Sequence, residues 1–192
     1  MIYLGVRTWL KVLIIFIILT AVCSYTVFKS DRFQKKYLFP FNYQDIVYHY
    51  ALEYDLNPFL VAGVIRTESR FIAEARSHKG AVGLMQIMPE TGHWVAEQQG
   101  YREYSDVILN DPLVNIWFGS WYLSSLKKEF QGNEVLFLAA YNGGRGNVKQ
   151  WMRQYGWTND FSDIEQIPFM ETREYVKKVL YNKKRYQELY GR

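Results

Sequence analysis

The sequence predicts a mainly α-helical domain behind an apolar N-terminal helix. Apolar residues recur with helical spacing from Tyr43 almost to the C-terminus. Two segments open on Asn57-Pro58 and Asp111-Pro112, where the first residue is a favoured N-cap and proline is tolerated at the first helical position. Runs of alternating β-formers are few.

The first element is apolar. Val12 to Phe28 contains no charged residue, and Leu13-Ile14-Ile15-Phe16-Ile17-Ile18-Leu19 forms its centre. Seventeen such residues reach the lower end of a spanning helix, with Trp9, Tyr25 and Phe28 placed near the interfaces. A cleaved signal peptide is the competing reading, but Ala21-Val22-Cys23 is poor both for ordinary cleavage and as a lipoprotein site. Residues 1–29 are therefore expected to be an uncleaved signal anchor, and 30–42 a short charged stalk. Arg7 and Lys11 before the span are outnumbered by Lys29, Arg32, Lys35 and Lys36 after it, the reverse of the positive-inside preference for an external C-terminus.

Residues 43–192 have the size of one domain with its own core. Helices are expected over Tyr43–Tyr54, Pro58–Ser69, Pro89–Gln98, Pro112–Phe130, Asn133–Ala140, Gly146–Tyr155 and Thr172–Leu189. Part of Phe71–Val82 has room for a small hairpin.

Composition narrows the function classes. The formal charge is +4 and the isoelectric point near 9.0, which suits an anionic wall or membrane surface, and no basic stripe with base-stacking character argues for nucleic acid. Cys23 is the single cysteine, so neither an internal disulfide nor a cysteine cluster for zinc is expected. His49, His78 and His93 lack metal-ligand spacing. No metal and no cofactor are expected.

Three motifs carry chemistry. Phe59 to Ile65 is apolar all round, as in a buried helix, and Glu68 shares a helical face with Val61, Val64 and Ile65. Its carboxyl should leave on the core side, where desolvation raises its pKa and allows it to act as a general acid. The plain alternative is a Glu paired with Arg66, Arg70 or Arg76. In Gly83-Leu84-Met85-Gln86-Ile87-Met88-Pro89, a flexible apolar side chain can pack on a sugar face while Gln86 hydrogen-bonds an edge; two core methionines and a surface Gln are the alternative. Ala139-Ala140-Tyr141-Asn142-Gly143-Gly144 reads as a helix C-terminus, with small alanines allowing close approach and Tyr141 at the rim.

The order of Arg66-Thr67-Glu68-Ser69-Arg70, Gly83 to Pro89 and Ala140 to Gly144 resembles the catalytic domain of soluble lytic transglycosylases. These are bacterial enzymes of the goose-lysozyme-like superfamily that cleave peptidoglycan glycan strands. Ile167-Pro168-Phe169-Met170-Glu171-Thr172-Arg173-Glu174-Tyr175-Val176 matches a fourth family block. The resemblance implies a lysozyme-like catalytic domain with a groove between helical lobes and Glu68 as the catalytic acid. It assigns substrate contacts to Ser77, Gln86, Met88, Ala140, Tyr141, Asn142 and Glu171. By the resemblance Ser77 matches a serine that hydrogen-bonds near the acid, Tyr141 lies close to the carboxyl and helps orient it or the substrate, and Met85 is left to the core. The implied partners are glycan strands and, through the N-terminal helix, a membrane, with the domain outside the cytoplasm. The implied reaction forms 1,6-anhydromuramyl products with Glu68 as acid and then base. A hydrolase using Glu74 as second acid, and a wall-binding module without catalysis, are the alternatives.

Overall fold

The computed structural model describes residues 5–191; Met1 to Leu4 and Arg192, at the ends of the expected anchor and domain, lie outside the described residues. The chain divides into two compact units, Met1–Pro40 and Phe41–Arg192.

In the first unit, α1 (Val6–Lys29) is continuous, and its segment Thr8–Lys29 is long and apolar enough to cross a membrane. Its hydroxyls are satisfied within the helix. Thr20 Oγ1 donates to the carbonyls of Phe16 and Ile17 at 3.0 and 2.9 Å, and Thr26 Oγ1 to that of Cys23 at 2.8 Å. Ser30 takes an extended backbone, which ends α1, and its side chain caps the short α2 (Asp31–Phe33). One π turn, Gln34–Leu38, follows. The expected stalk is thus largely helical. Phe28, Phe33 and Tyr37 account for this locally, with successive ring centroids 5.7 and 4.9 Å apart.

The second unit contains α3 (Gln44–Glu53), α4 (Pro58–Glu68), α5 (Pro89–Gln98), α6 (Pro112–Glu129), α7 (Glu134–Gly143), α8 (Arg145–Tyr155) and α9 (Met170–Tyr190). The two proline starts are built alike. Asn57 accepts from the amides of Phe59 and Leu60 at 2.8 and 3.4 Å, and Asp111 from those of Leu113 and Val114 at the same two distances.

Helix α4 is the centre of the domain. Leu60 to Ile65 are all buried, and the helix packs along α9. Gly63 makes that contact possible, because a Cβ there would lie 2.9 Å from Lys183 N and 3.0 Å from Val179 O. Beside it, Asn182 Nδ2 donates to Thr67 Oγ1 at 2.9 Å, and Thr67 Oγ1 donates to Gly63 O at 2.8 Å. The end of α4 that carries Glu68 is therefore clamped laterally to α9.

Two expectations are corrected. No strand forms among the described residues, and the hairpin expected in Phe71–Val82 is instead a tight loop with isolated antiparallel bridges at Arg76–Val82 and Val82–Ile87. Gly80 and Gly83, at φ +91° and +79°, turn the chain again before a ladder can extend. The helix expected to close at Ala140 runs on to Gly143, and Gly144, at φ +88°, ends it by bonding its amide to the Ala140 carbonyl at 2.9 Å.

Candidate active site

Four segments meet at a hollow of about 350 Å³: the end of α4, the loop from Ser77 to Met88, the end of α7 and the start of α9. Glu68, Ser77, Gln86, Met88, Tyr141, Asn142 and Glu171 all line it. His78, Lys79 and Ala81, which sequence reasoning did not select, complete its wall.

Glu68 is half-buried, and burial pushes its pKa up to about 7. The Tyr175 phenol pulls the other way, and the Glu171 carboxylate adds a further upward push. Among the described residues no cation offsets the burial, so the simple Arg–Glu pairing considered for this residue is not what sets its charge. Tyr175 Oη is buried without a protein partner at full hydrogen-bond geometry, and burial next to Glu68 keeps its own proton firmly bound. It is a donor held in reserve beside the carboxyl. Tyr175 was named in the sequence only as part of a motif, since its position gives no sign of which way a helical tyrosine points.

Tyr141 reaches the same wall. Its hydroxyl donates to the Met85 carbonyl at 2.8 Å, and burial followed by the nearby Glu68 charge keeps the phenol protonated. Its side chain therefore ties α7 to the loop within electrostatic reach of the carboxyl. Asn142 Oδ1 accepts from Thr172 Oγ1 at 2.8 Å, which fixes the amide against α9.

The loop is held from beneath. Asn115 is buried in α6, and its Oδ1 accepts the Met85 amide at 2.7 Å while Nδ2 donates to the carbonyls of Val82 and Leu109 at 2.9 and 2.8 Å. Ser69 Oγ donates to the Leu84 carbonyl at 2.8 Å. Gly83 is required here, as a Cβ would come within 2.2 Å of Asn115 Nδ2. These contacts leave Met85 fully buried and Met88 exposed at 37%. Gln86 sits at φ +48°, with Nε2 donating to the carbonyls of Ala75 and Gly83 at 3.1 and 2.9 Å. With those donors held, an acceptor is what Gln86 offers to a ligand.

Not every expected contact is present. Ala140 is fully buried and does not line the hollow; its role is small size, with its carbonyl taken by Gly144. Ser77 lines the hollow, but the side-chain bond it makes is from the Ala81 amide at 2.9 Å, on its own loop. Glu171 is exposed and lies 3.9 Å from Lys79 Nζ at the mouth. Glu74 is exposed and outside the hollow. No cluster of potential metal ligands occurs among the described residues.

A family model described as the transglycosylase SLT domain matches residues 45–164. The chain belongs to this family. A second model, the soluble lytic transglycosylase helical domain, matches residues 166–192. The SLT domain is 35% identical over 144 residues to the soluble lytic murein transglycosylase of Salmonella typhimurium, covering 74% of this chain and 22% of that protein. It is 28% identical over 166 residues to membrane-bound lytic murein transglycosylase C of Actinobacillus pleuropneumoniae, covering 75% and 45% respectively. The 70 kDa soluble lytic transglycosylase of Escherichia coli, also solved in complex with bulgecin A, matches with TM-score 0.75 and 34% identity over 80% of this chain and 25% of that one. The fold of the SLT domain is the lysozyme-like one expected from its motifs. This chain spans about a fifth of the length of the Salmonella relative.

Proposed function

We propose that the protein is a membrane-anchored lytic transglycosylase that cleaves the β-1,4 bond between N-acetylmuramic acid and N-acetylglucosamine in peptidoglycan. Glu68 carries this reading: a half-buried carboxyl, with a pKa raised to about 7 and no balancing cation among the described residues, lies on the wall of an open hollow. At neutral pH a large share of it holds the proton that a leaving glycosidic oxygen needs. A module that only bound the wall would have no use for a desolvated acid.

The chemistry follows from one residue used twice. Protonated Glu68 gives its proton to the glycosidic oxygen as the bond to muramic C1 breaks, and the substrate's own N-acetyl group stabilises the developing cation. The Glu68 carboxylate then takes the proton of the muramic C6 hydroxyl as that oxygen attacks C1, closing the 1,6-anhydro ring. No water is consumed, and Glu68 ends protonated. Tyr175 supports the carboxylate stage, because its phenol favours the charged form. Gln86 and Met88 provide the acceptor and the apolar surface for adjoining sugars.

A muramidase-type hydrolase remains the second reading, since Glu171 is another carboxyl on the same wall. Glu171, rather than the distant Glu74, would be its base. The pairing of Glu171 with Lys79 favours a binding role instead. In this proposal residues 1–29 anchor the chain, 30–42 connect, and 43–192 act on the wall outside the cytoplasm. A turbidity assay with purified peptidoglycan and the detergent-solubilised full chain tests the catalytic assignment. Glu68→Gln should lose at least about a hundredfold in rate, the scale of general acid-base catalysis, and near-normal clearing by that variant would refute it.

A further inference from the structure

The segment after the apolar helix carries a charge pattern that anchoring alone does not require. Lys29, Arg32, Lys35 and Lys36 stand against one acid, Asp31, before the chain reaches Phe41. A positive excess on this side opposes an external C-terminal domain. These cations therefore work against the orientation proposed above unless an anion on the outer side matches them.

Their placement is built by the fold. The extended backbone of Ser30, at φ −65° and ψ 138°, turns the chain, and α2 with its π turn lies against the end of α1 instead of prolonging it. Gln34 is buried in this corner, and its Nε2 donates to the carbonyls of Phe28 and Lys29, both at 3.4 Å. These are among the last carbonyls of α1, for which the helix itself has no amide. The rings of Phe28, Phe33 and Tyr37 run through the same corner in succession. Phe28 closes the uncharged run of the span, so the cations that follow are kept near the level where the apolar core of a bilayer would end. Lys29, Arg32 and Lys36 are exposed there. Lys29 Nζ lies over the Tyr25 ring, 5.8 Å from its centroid, and Lys36 Nζ over that of Tyr37 at 5.2 Å.

The rings beside the cations decide between anionic partners. Tyr25, Phe28 and Tyr37 are all exposed. At a bilayer surface such rings sit at the level of the headgroups while the ammonium and guanidinium groups meet the lipid phosphates. A soluble wall polyanion would match the charge and leave the rings in water.

We propose that Lys29 to Tyr37 form a binding surface for anionic phospholipid headgroups. Lys29, Arg32, Lys35 and Lys36 meet the phosphates, and Tyr25, Phe28 and Tyr37 seat the segment in the interface. The proposal rests on the membrane-anchored reading above and adds a lipid preference to it.

In the test, the full chain in a non-ionic detergent is offered phosphatidylglycerol and phosphatidylcholine with the same acyl chains, and the lipid that stays bound is read by native mass spectrometry. Phosphatidylglycerol should be retained about fivefold or more over phosphatidylcholine, the scale of a basic residue at an anionic surface. The variant combining Lys29→Gln, Arg32→Gln, Lys35→Gln and Lys36→Gln should retain the two lipids equally, while one combining Lys29→Arg, Lys35→Arg and Lys36→Arg should keep the preference. No preference in the wild type, or an undiminished one in the Gln variant, would overturn the proposal. Displacement of bound phosphatidylglycerol by soluble poly(glycerol phosphate) would also overturn it and assign the surface to a wall polymer. Phosphatidylcholine vesicles washed in alkaline carbonate separate this from the anchor: release of the wild type refutes the anchor itself, whereas a retained chain without lipid preference refutes only the headgroup surface.

Discussion

Asn115 holds the Met85 amide at 2.7 Å from inside the core, and so places the loop that carries Gln86 and Met88. The two residues are thirty positions apart, and the bond is buried. Replacing Asn115 by Ala leaves the Met85 N–H and the Leu109 carbonyl without that partner in a buried site. We expect a loss of about 3 kcal/mol, on the scale of orphaned buried polar groups, read as a fall in thermal midpoint. Cleavage should fall further than the folded fraction does, because the loop loses its register. An Asn115→Ala variant with unchanged melting and unchanged activity would contradict this role.

Glu68 should cost stability at neutral and higher pH. Its pKa is about 7 in the folded chain against 4.5 for the ordinary side chain, so the folded state binds more protons between those values. Stability from this group is full below the lower value and is lost as pH rises toward 7. Glu68→Gln removes the titration. The variant should therefore melt higher than the wild type above neutrality, by up to about 3 kcal/mol, with the difference shrinking toward pH 4.5. A constant difference across that window would show that Glu68 does not titrate as described.

The alkaline limb of kcat/KM should follow the same acid and be tunable in both directions. Tyr175→Phe removes the group that lowers the Glu68 pKa, so the limb should move to higher pH. Glu171→Gln removes a charge that raises it, and the limb should move to lower pH. Shifts of the same sign, or none, would argue that these groups do not act on Glu68.

Much of this was legible in the sequence because local rules were not opposed by packing. The caps at Asn57 and Asp111 depend on their own amides, and helical spacing alone placed Glu68 on the buried face. What escaped was set by distant partners. Asn115 lies mid-helix, with nothing near it in sequence to mark three buried bonds. Tyr175 is one tyrosine among sixteen, and only the packing of α9 on α4 turns it toward Glu68. Ala140 was assigned to the site by its motif, yet the continued turn of α7 points it into the core. The hairpin failed because two positive-φ glycines leave too few residues for a ladder.

The N-terminal helix carries its own prediction. Thr8–Lys29 has a mean hydropathy of 2.3 and its apolar side chains are exposed in the isolated chain. The mature protein should keep this segment, fractionate with membranes in alkaline carbonate, and expose its C-terminal domain to added protease in protoplasts. A new N-terminus near Ser24, or a protected domain, would contradict the anchor or its orientation.

The mass of the released muropeptides bears most directly on Glu68 acting alone as acid and then base. Digestion of purified peptidoglycan by the full chain should yield 1,6-anhydromuramyl ends, lighter by one water than hydrolysed ends, and Glu171→Gln should change the rate without changing that product. Reducing muramic ends as the main product, lost in Glu171→Gln, would contradict it and make the protein a two-carboxylate hydrolase.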